Sequence, residues 1–146
     1  MAEYQIVLDD EIATIEFGKR LAIATFKQPF DNQESVAGNQ GIPSMGGSMH
    51  LLGELGAGKT TLARGIMRGY GYLGAVKSPT YTLVESYEFD QCHIHHFDFY
   101  RLVVPEEVNY LGTEDYFEGT NLCIIEWADK AAEVIPPADL IIALEI

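Results

Sequence analysis

The chain has 146 residues, 47% of them hydrophobic, which suits one compact domain spanning 1–146. A formal net charge of −13 argues against a free-standing nucleic-acid binder, because phosphate backbones demand a basic surface. No apolar run approaches the roughly 18–20 residues that span a bilayer, and the start Met-Ala-Glu-Tyr-Gln carries no secretory signal, so the expectation is a cytoplasmic protein without a membrane role.

In chain order, Asp9 or Asp10 caps a helix whose apolar stripe is Ala13, Phe17, Leu21 and Ala24. Residues 27–48 are polar and rich in Gly, Asn, Gln and Ser, which predicts a long mobile loop. Met49 to Leu52 reads as a short strand and Thr60 to Tyr70 as a helix ending at Gly69 or Gly71. Thr80 to Phe89 and Cys92 to Arg101 read as two strands joined at Asp90-Gln91. In the second, alternation puts Phe97 and Phe99 on one face and His96, Asp98 and Tyr100 on the other. Pro105 opens a short helix to Tyr110. The continuous apolar run Leu122 to Ile125, closing in Glu126-Trp127, suits a strand buried on both faces of a largely parallel sheet. Asp139 to Ile146 holds a last strand.

Between the first strand and the second helix lies Gly53-Glu54-Leu55-Gly56-Ala57-Gly58-Lys59-Thr60, the spacing of a phosphate loop. Glycines there permit backbone conformations closed to other residues, and the following helix presents its positive end to phosphate oxygens. Lys59 is expected to reach the β- and γ-phosphates, the Thr60 hydroxyl to bind magnesium, and Gly56 to leave room for close backbone approach. Four of the nine basic residues, Lys59, Arg64, Arg68 and Lys77, lie in or shortly after this loop. Such a site also needs an acidic residue at the end of a second strand. Glu126 and Asp98 are the two candidates, for holding magnesium and for orienting the attacking water. Trp127 adjoins Glu126 and is read as a nucleotide contact. Thr80, in a Ser-Pro-Thr turn, is read as a sensor of the γ-phosphate. The cluster Cys92-His93-x-His95-His96 is too tight for a four-ligand zinc site, since alternation sends neighbouring histidines to opposite faces. Cys92 and Cys123 sit in apolar runs, as reduced buried thiols do.

Four blocks together resemble the TsaE (YjeE) family: the phosphate loop continued through Thr61-Leu62-Ala63-Arg64-Gly65, then Lys77-Ser78-Pro79-Thr80-Tyr81-Thr82-Leu83-Val84, then His95-His96-Phe97-Asp98-Phe99-Tyr100-Arg101-Leu102, then Ile124-Ile125-Glu126-Trp127. Their order and spacing agree from Met49 to Lys130, with weaker agreement through Glu11, Gly18 and Ala22. The resemblance implies an α/β fold, the three-layer P-loop NTPase architecture around a mostly parallel, mixed sheet. It implies an ATPase, with ATP and Mg2+ bound and ADP left after turnover, required for threonylcarbamoyladenosine modification of tRNA. Its partners would be the TsaD and TsaB proteins, and tRNA would be met only through them. The nucleotide would be held by Gly56, Ala57, Gly58, Lys59, Thr60, Thr61 and Trp127, with Glu11 beside the adenine. Thr60 and Glu126 would carry magnesium, and Asp98 would be essential for activity. A small-molecule kinase on the same fold needs a lid of arginines, and only Arg101 lies beyond Arg68. A nucleotide-dependent binding module without turnover is the other alternative, separable by phosphate release.

Overall fold

A computed structural model describes residues 2–26, 46–89, 92–111 and 113–146. Five strands form one sheet in the order β2-β3-β4-β1-β5: β1 (Gly47–Leu52), β2 (Val84–Glu88), β3 (His93–Asp98), β4 (Leu122–Glu126) and β5 (Leu140–Ala143). The four strands β3, β4, β1 and β5 run parallel, and β2 pairs antiparallel at the edge. Helices α1 (Glu11–Thr25) and α2 (Lys59–Gly69) cover one face. Three 3-10 helices, Pro105–Leu111, Thr113–Phe117 and Ala128–Ala131, occupy the other side, where the core is built on Phe97, Phe99, Cys123 and Ile125. The result is the expected three-layer α/β architecture. β4 is buried at all five positions, as its unbroken apolar run predicts.

Local chemistry explains where elements begin and end. Asp10, one of the two expected caps, accepts a hydrogen bond from the Ala13 amide at 2.8 Å and starts α1. Of the expected stripe on α1, Phe17 and Leu21 pack half-buried against the core and Ala24 is exposed, while the fully buried residues are Gly18 and Ala22. The reason is a close helix crossing. A Cβ on Gly65 of α2 would sit 2.5 Å from the Ile15 carbonyl oxygen, and one on Gly18 would sit 2.7 Å from that of Leu62. Small residues, rather than an apolar ridge, let the two backbones meet.

β1 starts two residues earlier than expected. Gly47 pairs with Leu122, and Asp139 clamps Ser48 by accepting its amide at 2.8 Å and donating its own amide to the Ser48 carbonyl at 2.9 Å. Backbone pairing recruits these polar residues, which composition alone assigns to a loop. The rest of the expected mobile loop, 27–45, and the Asp90-Gln91 connection lie outside the described residues. β2 starts at Val84 instead of Thr80, because Leu83 has φ 69 and donates its amide to the Pro79 carbonyl at 2.7 Å, closing a turn. β3 stops at Asp98, whose carboxylate accepts the Tyr100 amide at 2.9 Å. Among the described residues, no helix is long and apolar enough to cross a membrane.

Candidate nucleotide site

The C-terminal ends of parallel strands are where an open α/β sheet holds its ligands. Here β1 ends in the glycine loop, β4 ends in Glu126 and β3 in Asp98, and these two acids stand opposite one another in register. Gly56 and Gly58 have φ 82 and φ 107, and a Cβ at either position would meet nothing within 4 Å. Backbone conformation, not lack of space, therefore requires glycine. The loop runs straight into α2, whose first internal hydrogen bond is Leu62 amide to Gly58 carbonyl at 2.9 Å. The amides at the start of α2 lack intrahelical partners and carry the helix's positive end, which is an anion site.

Lys59 is almost wholly buried. Its ammonium donates to the Gly53 carbonyl and, at 3.1 Å, to the Glu54 carbonyl, and it lies 4.5 Å from the Trp127 ring centroid. The loop's own carbonyls and an aromatic face thus hold the cation at the loop. Trp127 reaches this position through a left-handed backbone, φ 58, directly after β4.

The Thr60 hydroxyl donates to Glu126, 3.2 Å from Oε2 and 3.5 Å from Oε1. A hydroxyl and a carboxylate side by side are hard oxygen donors of the kind magnesium takes, usually as one or two protein groups with phosphate and water completing the shell. Among the described residues no three His, Cys, Asp or Glu side chains converge as a metal cage, so such a cation would rely on that completion. Asp98 is engaged differently. Its Oδ2 accepts from the Ser78 hydroxyl and, at 3.3 Å, from the Thr80 hydroxyl, while its Oδ1 takes the Tyr100 amide. Asp98 therefore ties the 78–80 turn to the end of β3.

A cleft of about 360 Å³ brings together Gly56, Gly58, Lys59, Thr60, Thr61, Thr80, Asp98, Glu126 and Trp127 from the expected set, with Ser78, Tyr100 and Arg101. Ala57 lines an adjoining, mostly apolar cleft of about 530 Å³, together with Leu52, Gly53, Trp127 and Asp129. Glu11 lines neither; its carboxylate accepts from Arg64 of α2 at 2.6 Å. Arg101 extends over Tyr81, 4.5 Å from its ring centroid, and donates to its hydroxyl at 3.3 Å.

Two residues escaped the sequence reading. Ser78 was visible only as part of a turn, and its bond to Asp98 depends on the fold. His96, fully buried, lies 2.7 Å through Nε2 from Glu126 Oε2. The signal for it was the strand alternation that placed His96 on the face of Asp98. The neighbouring His95 faces the other way. Its ring stacks on Tyr116 at 4.2 Å, its Nδ1 lies 2.7 Å from the Ser86 hydroxyl, and burial, helped by His93, lowers its pKa to about 4. Burial pushes the Cys123 thiol up to about 12, which leaves it unreactive.

Comparison with known proteins gives a family. The family model described as threonylcarbamoyl adenosine biosynthesis protein TsaE matches residues 8–146. The tRNA threonylcarbamoyladenosine biosynthesis protein TsaE of Haemophilus influenzae is 41% identical over 138 residues, covering 94% of this chain and 79% of that protein. The protein of the same name in Bacillus subtilis is 37% identical over 100 residues, covering 68% of this chain and 62% of that one. Among solved structures, Bacillus subtilis YdiB superimposes with a TM-score of 0.63 at 28% identity, covering 96% of this chain and 73% of YdiB. With its phosphate loop, its paired strand-end acids and a family match over nearly its whole length, the chain belongs to the TsaE family of threonylcarbamoyladenosine biosynthesis proteins.

Proposed function

We propose that this chain is a magnesium-dependent ATPase that serves threonylcarbamoyladenosine modification of tRNA as a nucleotide switch. In this reading it works with TsaD and TsaB and meets tRNA only through them. The observation that carries the reading is the junction of Lys59, Thr60 and Glu126. A buried ammonium, a hydroxyl and a carboxylate meet at the start of a helix that follows a glycine loop.

In the reaction, the loop and α2 amides hold the β- and γ-phosphates, and Lys59 turns from its carbonyls to the phosphate oxygens. Thr60 and Glu126 would hold magnesium, which when bound neutralises phosphate charge. Asp98 orients the attacking water or senses the γ-phosphate through Ser78 and Thr80, since one carboxylate joins the turn to the strand end. The adenine goes to the adjoining apolar cleft. Arg101 sits at the cleft but is held over Tyr81, so among the described residues no arginine is set as a finger to join Lys59 on the transition-state charge. Slow basal hydrolysis follows, with stimulation when a partner reshapes the 78–81 turn or supplies a cation, an effect worth about 10³–10⁵ in P-loop switches.

The test is steady-state phosphate release with a TsaB–TsaD complex titrated in, run beside modification of unmodified tRNA with this protein omitted or added. Slow release, strong stimulation and modification dependent on the protein are expected. Fast release indifferent to the partners contradicts the switch, and modification that proceeds equally without the protein contradicts the role.

A further inference from the structure

Resting on the magnesium reading of Thr60 and Glu126, we propose that His96 is the positioning residue of Glu126: its Nε2–H holds Oε2 so that the carboxylate faces the Thr60 hydroxyl. The two bonds share one carboxylate, His96 at 2.7 Å and Thr60 at 3.2 Å from the same oxygen. A carboxylate accepts, so Nε2 carries the hydrogen in this pair. His96 comes from β3 and Glu126 from the adjacent β4, so the bond crosses between two strands beneath the start of α2.

The position is a poor one for a histidine that serves packing alone. The side chain is fully buried, and its Nδ1 has no hydrogen-bond partner among the described residues. An unmet buried polar atom costs about 1–3 kcal/mol. Ile94, two residues earlier on the same strand face, is equally buried without that cost. What the imidazole adds over an isoleucine or leucine is the one donor it gives Glu126. Without that donor, among the described residues the carboxylate keeps only the Thr60 hydroxyl, at 3.2 and 3.5 Å, and gains freedom to rotate away. Partners that orient metal-holding side chains behave this way, and their loss weakens metal affinity by about 10- to 100-fold.

The experiment compares wild type with His96→Leu and His96→Gln. ATP binding is measured by calorimetry in EDTA and across a magnesium titration, with thermal melting recorded for each protein. For His96→Leu the magnesium concentration giving half-maximal tightening rises about tenfold, while affinity in EDTA holds. For His96→Gln, whose amide nitrogen reaches a similar spot, most of the magnesium response returns. A purely packing role moves both affinities together or neither. If wild type responds to magnesium and His96→Leu responds at the same concentration, the positioning role falls alone. If the glutamine variant is no better than leucine, it falls as well. If wild type binds ATP equally with and without magnesium, the metal reading falls and takes this proposal with it. Should the leucine variant not fold, nitrogen–proton NMR of the wild-type imidazole decides the bond: an Nε2–H tautomer that shifts in Glu126→Gln supports it, and an Nδ1–H tautomer overturns it.

Discussion

The two rims of the nucleotide cleft are built in opposite ways. The loop rim is eight consecutive residues, Gly53 to Thr60, running from the end of β1 into the first turn of α2, and its cation is tied to the loop's own carbonyls. The acidic rim is collected from three separate places: Asp98 at the end of β3, Glu126 at the end of β4, and the hydroxyls of Ser78 and Thr80 on the turn before β2. Local backbone conformation is enough to shape the first. The second exists only when β3 and β4 are in register, since a slip of one residue would turn Asp98 or Glu126 to the opposite face. Grip on phosphate is therefore a local property of this chain, whereas what happens to the phosphate is a property of the whole sheet.

The largest expected effect breaks the local rim. Lys59→Ala removes the one buried ammonium at the loop. Charge-assisted hydrogen bonds contribute about 1.5–3 kcal/mol each, and two phosphates share this donor, so triphosphate affinity should fall by several hundred-fold or more. Diphosphate affinity should fall less, because the γ-phosphate contact is missing from both proteins. Titration calorimetry with ATP and ADP reads both numbers, and an unchanged ATP affinity would remove the phosphate-loop assignment altogether.

Glu126→Gln addresses the collected rim and should act on turnover rather than grip. Glu126 is buried, so alanine would leave His96 and Thr60 facing a hole, whereas glutamine keeps the shape and an acceptor. The change removes one hard anionic donor from the proposed magnesium position. Magnesium-dependent phosphate release should drop about 10- to 100-fold, with ATP affinity in EDTA preserved. Equal turnover in the two proteins at limiting magnesium would transfer the metal role to Asp98 and reverse the division of labour between the two acids.

The same division explains what was legible in the sequence. Gly53 to Thr60 could be read directly because a phosphate loop needs contiguous residues at fixed spacing. The strand-end acids could be named, Glu126 from an apolar run that stops at a carboxylate and Asp98 from strand alternation, but their partners could not. His96 lies 30 positions from Glu126, and Ser78 lies 20 from Asp98, separations that no local period spans. The boundaries that moved also depended on distant groups. Gly47 and Ser48 join β1 because β4 and Asp139 pair with them, although their composition belongs to a loop. The stripe on α1 finds Phe17 and Leu21 but misses the closest contact for a related reason: a helix that meets another through Gly18 and Gly65 hides that contact in residues without side chains, which an apolar periodicity does not register.

The smallest expected effect sharpens the comparison most, because it tests whether the collected rim acts as one unit. Ser78 and Thr80 both give a hydroxyl hydrogen to the same Asp98 oxygen, and the two hydroxyls are themselves 3.3 Å apart. Removing either leaves Asp98 the other, so Ser78→Ala alone should cost about 1 kcal/mol, roughly a fivefold loss of partner-stimulated phosphate release. Thr80→Val should cost a similar amount. The double variant leaves that oxygen with neither hydroxyl, and a nearly buried carboxylate with an unmet acceptor carries a further penalty. Its loss should therefore exceed the product of the two single losses, the coupling expected of neighbours in one hydrogen-bond network. The measurement is the stimulated rate of all four proteins at saturating ATP and partner. Losses that simply multiply would mean the two hydroxyls act independently, and the turn would then be tied to β3 by something other than Asp98.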